Sequence, residues 1–166
     1  MNKETRQFIT DNIGADIHQL ALQSARYLLV DMPLAIRQIN GKQKIKSKIP
    51  LFFSTDDILY PIQLSLEQSS SQSTAYYKSS LCEGNTLVDL TGGFGIDCYF
   101  MSKNFSQVTY VERHEELCEL ARHNFKALGR KNIEVIHADS ENIWHKWKKL
   151  TGFLSIPPDE AKVAKK

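Results

Sequence analysis

The chain has 166 residues, 42% of them hydrophobic and 24% charged, with a formal net charge of +2, which is the composition of a globular protein of one or two domains with nothing that demands nucleic acid. No run approaches the roughly 18 consecutive apolar residues of a membrane span, and no apolar signal segment follows Met1, so the expectation is a cytoplasmic protein with no membrane partner. Cys82, Cys98 and Cys118 have neither disulfide-framework nor metal-ligand spacing, and His114-Glu115-Glu116-Leu117-Cys118 has Cys where a zinc-protease motif needs its second His, so reduced thiols and no metal site are expected.

Residues 3–30 read as two short helices broken at Ile13-Gly14, with Ile17, Leu20, Ala21, Ser24 and Leu28 at helical spacing. Asp31 caps a third helix with Pro33 in its first turn; Gly41 weakens it, and it ends before Pro50. Residues 1–50 carry eight Lys/Arg against four acids, and Lys42, Lys44, Lys46 and Lys48 supply half of that cationic charge. Such a run either tracks a phosphate backbone or is a solvated helix face. Residues 51–66 read as an extended connector punctuated by Asp56-Asp57 and Pro61, and a Ser/Gln cluster leads into a helix over 67–81. From residue 86 the pattern alternates: strand Thr86–Leu90, helix Phe94–Asn104, strand Gln107–Glu112, helix His114–Leu128 closed by Gly129, strand Ile133–Ile136 and helix Ser140–Lys149. This order predicts a parallel sheet covered by helices. The domain division expected is a helical region 1–50, a connector 51–66 and an α/β domain 67–166.

The chemistry concentrates in Leu87-Val88-Asp89-Leu90-Thr91-Gly92-Gly93-Phe94-Gly95-Ile96-Asp97. A strand ending in a glycine-rich turn that opens a helix lets backbone approach a ligand closely and aims N–H groups at it. A dinucleotide fingerprint would place Gly where Cys98 stands, and Asp89 at the strand end would repel a pyrophosphate while accepting from a cationic amine. S-adenosylmethionine has such an amine. Glu112, 20 residues past Gly92 at the end of the second strand, can take both ribose hydroxyls. Asp139, in His137-Ala138-Asp139-Ser140 after the third strand, can accept from the adenine amino group or cap the next helix. Tyr76, Tyr77 and Lys78 stand either at the methionine end of the pocket or as packing residues; Trp144, Trp147 and Cys118 are expected in the core.

Residues 86–140 resemble the first half of class I S-adenosylmethionine-dependent methyltransferases. The resemblance implies an incomplete Rossmann-like parallel sheet preceded by a small helical region, an α/β fold. It implies cofactor-binding roles for Asp89, Thr91, Gly92, Gly93, Phe94, Gly95, Glu112, Arg113, Asp139 and Ser140. Ala121-Arg122-His123-Asn124 followed by Gly129 matches a further family pattern. More closely, Glu4-Thr5-Arg6-Gln7-Phe8-Ile9, Ala21-Leu22-Gln23-Ser24-Ala25-Arg26-Tyr27, Thr74-Ala75-Tyr76-Tyr77-Lys78, Asp89-Leu90-Thr91-Gly92-Gly93 and Tyr110-Val111-Glu112-Arg113 resemble methyltransferases with a C-terminal THUMP-like domain. That resemblance implies an RNA substrate. The other readings are an NAD-dependent oxidoreductase and a non-catalytic cofactor- or RNA-binding protein.

The C-terminal region departs from the family pattern. An Asp/Asn-Pro-like segment is expected at the end of a fourth strand, where the chain reads Phe153-Leu154-Ser155-Ile156-Pro157-Pro158, and the THUMP-like portion has no counterpart. Residues Leu154–Lys166 can be back-translated so that an overlapping frame reads Ile-Asp-Pro-Ala-Arg-Arg-Gly-Glu-Gly-Gly-Lys-Lys. The expectation is therefore a frameshift, with designed truncation as its rival, and a cofactor-binding half with poor or no turnover because alignment of the methyl acceptor is lost. Neither the catalytic residues nor the acceptor atom can be read from these residues.

Overall fold

The computed structural model describes residues 1–142 and the strand Phe153–Leu154. The helical part opens with α1 (Lys3–Asp11), capped by the Asn2 side chain on Thr5 N–H, and α2 (Ile17–Leu22), capped by Asp16, so the break falls around Ile13-Gly14. Helix α3 (Met32–Lys48) begins where Asp31 accepts from Leu34 N–H with Pro33 in the first turn. Gly41 is no weak point in it. A Cβ there would lie 2.3 Å from Tyr60 Cβ, so the missing side chain lets the segment after α4 press against α3. Gln38 holds the same contact, donating to Tyr60 O at 3.0 Å and accepting from Tyr60 N–H at 2.8 Å.

The connector expected to be extended over 51–66 contains helix α4 (Pro50–Ser54) and the start of α5 (Gln63–Gln68). Pro50 both ends α3 and opens α4, because its ring suits a first helical turn and Phe52 gives the short helix a fully buried anchor. The helix expected over 67–81 is divided. Ser71 accepts from Thr74 N–H and starts α6 (Gln72–Ser80), the serine competing with helix continuation from the preceding residues.

Strand β1 (Gly84–Asp89) pairs in parallel with β2 (Phe105–Glu112) from Gly84↔Phe105 to Asp89↔Tyr110. Helix α7 (Ile96–Met101) and a 3₁₀ turn at Ser102–Asn104 connect them, and α8 (Glu115–Ala127) connects β2 to β3 (Ile133–His137). Gly129, at φ 70°, terminates α8 in the left-handed conformation expected of it. Strand β4 (Phe153–Leu154) lies parallel on the other side of β1, giving the order β3-β2-β1-β4. The expected α/β fold with a parallel Rossmann-like sheet is what the chain adopts. The helix read over Ser140–Lys149 is described only to Asn142, and Trp144, Trp147 and the tail after Leu154 lie outside the described residues.

One buried cluster joins Ile45, Ile49, Phe52 and Tyr60 to Leu87, Phe100, Val108, Tyr110 and Phe125 around the sheet. A second holds Phe8, Leu20, Met32, Ala35 and Ile39, so α3 contributes to both. Asn124 bridges the layers from within α8, donating to Leu59 O and accepting from Leu59 N–H, both at 2.8 Å. Among the described residues, no helix is long and apolar enough to cross a membrane.

Candidate cofactor-binding site

Strand order fixes where a site can form. After β1 the chain runs outward through β2 and β3, then returns to place β4 on the opposite side of β1. The carboxyl ends of β1 and β4 therefore flank a topological switch point, where open α/β sheets leave a crevice. Asp89, the last residue of β1, stands at that point, and the glycine bend follows it.

Each glycine of the bend has its own steric cause. Gly92 lies on the Tyr110 ring, whose Cε2 would be 2.4 Å from an added Cβ. Gly93 and Gly95 have φ of 54° and 81°, in the left-handed region that side chains disfavour. Gly95 also sits on the Phe125 ring, 2.8 Å from an added Cβ, and caps the start of α7. The bend is stitched to β2 by Gly92 N–H donating to Val111 O at 3.0 Å and by the Tyr110 hydroxyl donating to Gly93 O at 2.7 Å. Burial pushes the Tyr110 phenol well above its ordinary range, so it acts as a donor throughout neutral pH.

Glu112 faces the bend. Its Oε2 accepts from Gly93 N–H at 2.9 Å and its Oε1 from His114 N–H at 2.8 Å. Each oxygen keeps a further lone pair for another donor. Asp89 is 3% exposed and accepts at Oδ1 from Thr91 N–H at 3.0 Å and from the Thr91 hydroxyl at 3.4 Å. Burial, reinforced by the nearby charge of Asp97, raises its carboxyl to about 6 against the opposing pull of Thr91 N–H.

The structure thus brings Asp89, Thr91, Gly92, Gly93, Gly95 and Glu112 to one bend. Phe94 belongs to it by backbone alone, because its side chain is buried against Phe52 at a ring separation of 5.5 Å. Arg113, Asp139 and Ser140 lie at the neighbouring strand ends. Arg113 is exposed and its carbonyl accepts from His137 Nε2 at 3.0 Å; Asp139 is exposed and accepts from Glu141 N–H at 3.0 Å; Ser140 is half-buried. A cleft of about 770 Å³ adjoins this side of the site, lined by Leu34, Arg37, Tyr60, Arg113, His114 and His137.

Two features escaped the reading of the residues alone. Tyr110 carries a hydroxyl on an otherwise apolar strand, and a buried phenol needs a partner; that was the available signal. The ion pair Lys78–Asp97, at 2.7 Å, joins residues whose spacing follows no motif. Tyr76 and Tyr77 are both exposed, with the Tyr76 ring tilted against that of Phe100 at a centroid separation of 4.5 Å. The lysine run is partly engaged within the chain: Lys48 donates to the carbonyls of Leu66 and Glu67, Lys44 pairs with Glu67, and Lys42 and Lys46 lie over the Phe53 ring. Among the described residues, no group of three His, Cys, Asp or Glu side chains is placed to hold a metal ion.

Residues 35–148 match the profile of the protein-L-isoaspartate(D-aspartate) O-methyltransferase (PCMT) family. The chain belongs to that family. The matched span of this PCMT-family chain runs from α3 through the glycine bend to the end of β3 and beyond, so the family's profile takes in the parallel sheet and the bend together. Among solved structures, a protein described as a methyltransferase from Porphyromonas gingivalis W83 matches at 29% identity and a TM-score of 0.69, covering 86% of this chain and 36% of that one. The PCMT-family chain therefore corresponds to little more than a third of that protein's length. Looser matches are an O-methyltransferase from Bacillus cereus in complex with S-adenosylhomocysteine (15% identity, TM-score 0.45, covering 64% of this chain and 58% of that one). Another is a Streptococcus mutans protein described as a methyltransferase, also with S-adenosylhomocysteine (20% identity, TM-score 0.42, covering 56% of each chain). No curated protein matches the PCMT-family chain.

Proposed function

We propose that this chain binds S-adenosylmethionine at the Asp89–Gly95 bend and serves methyl transfer, with RNA as the acceptor. The observation that carries the cofactor reading is the clasp of Glu112 on Gly93 N–H and His114 N–H. It holds a carboxylate beside the glycine bend with lone pairs left for two adjacent hydroxyls, as a ribose presents. Asp89 supplies buried negative charge suited to an amine and unsuited to a pyrophosphate, which supports an adenosyl sulfonium over NAD. Asp139 and Ser140 would face the base, and Arg113 and Phe94 would line its approach, Phe94 through its backbone. The cofactor supplies an activated methyl group on sulfur; the chain's own task is to bind and orient it and to exclude water from it.

Calorimetric titration with S-adenosylhomocysteine and with NAD tests this reading. Binding of S-adenosylhomocysteine alone is expected; binding of NAD alone would reverse it. The RNA assignment rests on resemblance to THUMP-like methyltransferases, and the engagement of Lys44 and Lys48 within the chain leaves less free cationic surface for a phosphate backbone. A second acceptor, a protein carboxylate, is favoured by the family match over 35–148. Labelled methyl transfer to total RNA or to an isoaspartyl peptide separates the two, since a methyl ester is lost in mild base and a base-linked methyl is not.

A further inference from the structure

The cations of this chain are held in two different ways. Among the described residues, Arg6, Lys44 and Lys78 form ion pairs with Asp57, Glu67 and Asp97, and Lys48 donates to the carbonyls of Leu66 and Glu67. Lys42, Lys46, Lys103 and Arg130 lie instead over aromatic rings. Lys42 and Lys46, one turn apart on α3, hold their Nζ atoms 5.6 and 5.9 Å from the centroid of Phe53. Lys103 Nζ is 5.1 Å from the centroid of Tyr76, 5.4 Å from that of Phe100 and 5.9 Å from that of Tyr99, and the Arg130 guanidinium is 4.8 Å from Tyr99. None of these four has a carboxylate partner among the described residues, and Arg130 Nε is buried with no acceptor there.

The difference is electrostatic. A carboxylate cancels the ammonium beside it, whereas a ring quadrupole fixes a cation in place and leaves its charge whole. The rings are themselves linked. Phe52, next to Phe53 in α4, meets Tyr99 at 5.5 Å, Tyr99 meets Phe100 at 5.1 Å, and Phe100 meets Tyr76 at 4.5 Å. Four uncompensated charges are thus anchored along one run of rings, which ends beside the exposed Tyr77. Topology sets this run apart from the bend. Lys103 leads into β2 and Arg130 into β3, so both stand at the amino ends of the strands. The 13 residues of α8 put about 20 Å between that edge and Glu112.

Resting on the reading of RNA as the acceptor, we propose that Lys42, Lys46, Lys103 and Arg130 form a belt that docks the phosphates of a single-stranded RNA. Phosphates that repeat along a strand match cations that are spaced out, fixed and unneutralised. Tyr77, 66% exposed, offers a ring face on which a base of any sequence can stack. The belt grips the body of the strand away from the bend, which is left to the cofactor and the reacting nucleotide.

The test is fluorescence anisotropy with a labelled oligouridylate of about 12 nucleotides, over a range of salt concentrations. It compares the 166-residue chain with Lys42→Gln/Lys46→Gln, with Lys103→Gln and with Lys44→Gln, each shown to be folded by circular dichroism. The wild type is expected to lose affinity with salt at a log–log slope of about −2.8, from four phosphate contacts at about −0.7 each. The double variant should bind at least about fivefold more weakly and reduce the slope by about 1.4, and Lys103→Gln should reduce it by about 0.7. Lys44→Gln, whose lysine is already neutralised by Glu67, should change affinity by less than about twofold. No affinity for the oligonucleotide overturns the proposal, as does a Lys44→Gln loss equal to that of the double variant. Binding to vesicles containing phosphatidylglycerol in place of the oligonucleotide overturns it in favour of a lipid surface. Methyl transfer to RNA that the belt variants leave unchanged overturns the belt and keeps RNA as the acceptor; transfer to an isoaspartyl peptide alone removes both.

Discussion

Asp89 is where stability and ligand binding pull in opposite directions. Its carboxyl is raised from 3.8 to about 6 by burial, so between those values the folded chain holds a proton that the unfolded chain has released. Stability then falls as pH rises through that window, and the burial cost is present in full above about pH 6, amounting to roughly 3 kcal/mol. Asp89→Asn keeps an acceptor for Thr91 N–H while removing the buried charge. It is expected to stabilise the chain by up to about 3 kcal/mol at neutral pH, with the gain vanishing below about pH 4, and to weaken S-adenosylhomocysteine binding. Urea unfolding of both proteins across that range checks the slope. At Gly92 the constraint is space: an added methyl meets the Tyr110 ring at 2.4 Å. Gly92→Ala should cost about 1–3 kcal/mol in thermal unfolding and lower ligand affinity by displacing the bend.

Among the elements, α3 offers the sharpest contrast between local preference and packing. Alanine is favoured over glycine within a helix by about 1 kcal/mol, yet at Gly41 its Cβ would fall 2.3 Å from that of Tyr60. Gly41→Ala is therefore expected to destabilise, with thermal unfolding as the measurement; an increase in melting temperature would mean that the segment around Tyr60 moves aside. The same position shows what was and was not legible in the residues. Caps and periodicities are local, so Asp31, the break after α1, the strand and helix order after Gly84 and the Gly129 terminus could all be read. Gly41 against Tyr60, Asn124 against Leu59 and Lys78 against Asp97 are contacts across 19 to 65 positions that no period encodes. Pro50 misled for a different reason: a proline that stops one helix can start the next, and Phe52 decides the matter by burial that becomes visible only with its partners in place.

Taken as a whole, the molecule places its glycine bend at the switch point of a parallel sheet and braces that bend from three directions. Tyr110 supports it from β2, Phe125 from α8, and the Lys78–Asp97 pair ties α6 to the first turn of α7. The glycine pattern and the acids at the strand ends were readable because each obeys a strand-to-helix rule; the brace was not, because it is assembled from four separate elements. The 17 residues of α3 span about 26 Å, and carry Met32, Ala35 and Ile39 in one buried cluster and Ile45 in the other. A rod rooted at both ends cannot unwind at one without loosening its grip at the other. Scanning calorimetry should therefore record one heat-absorption peak for the entire chain, and a proteolytic nick within 40–44 should split that peak into two.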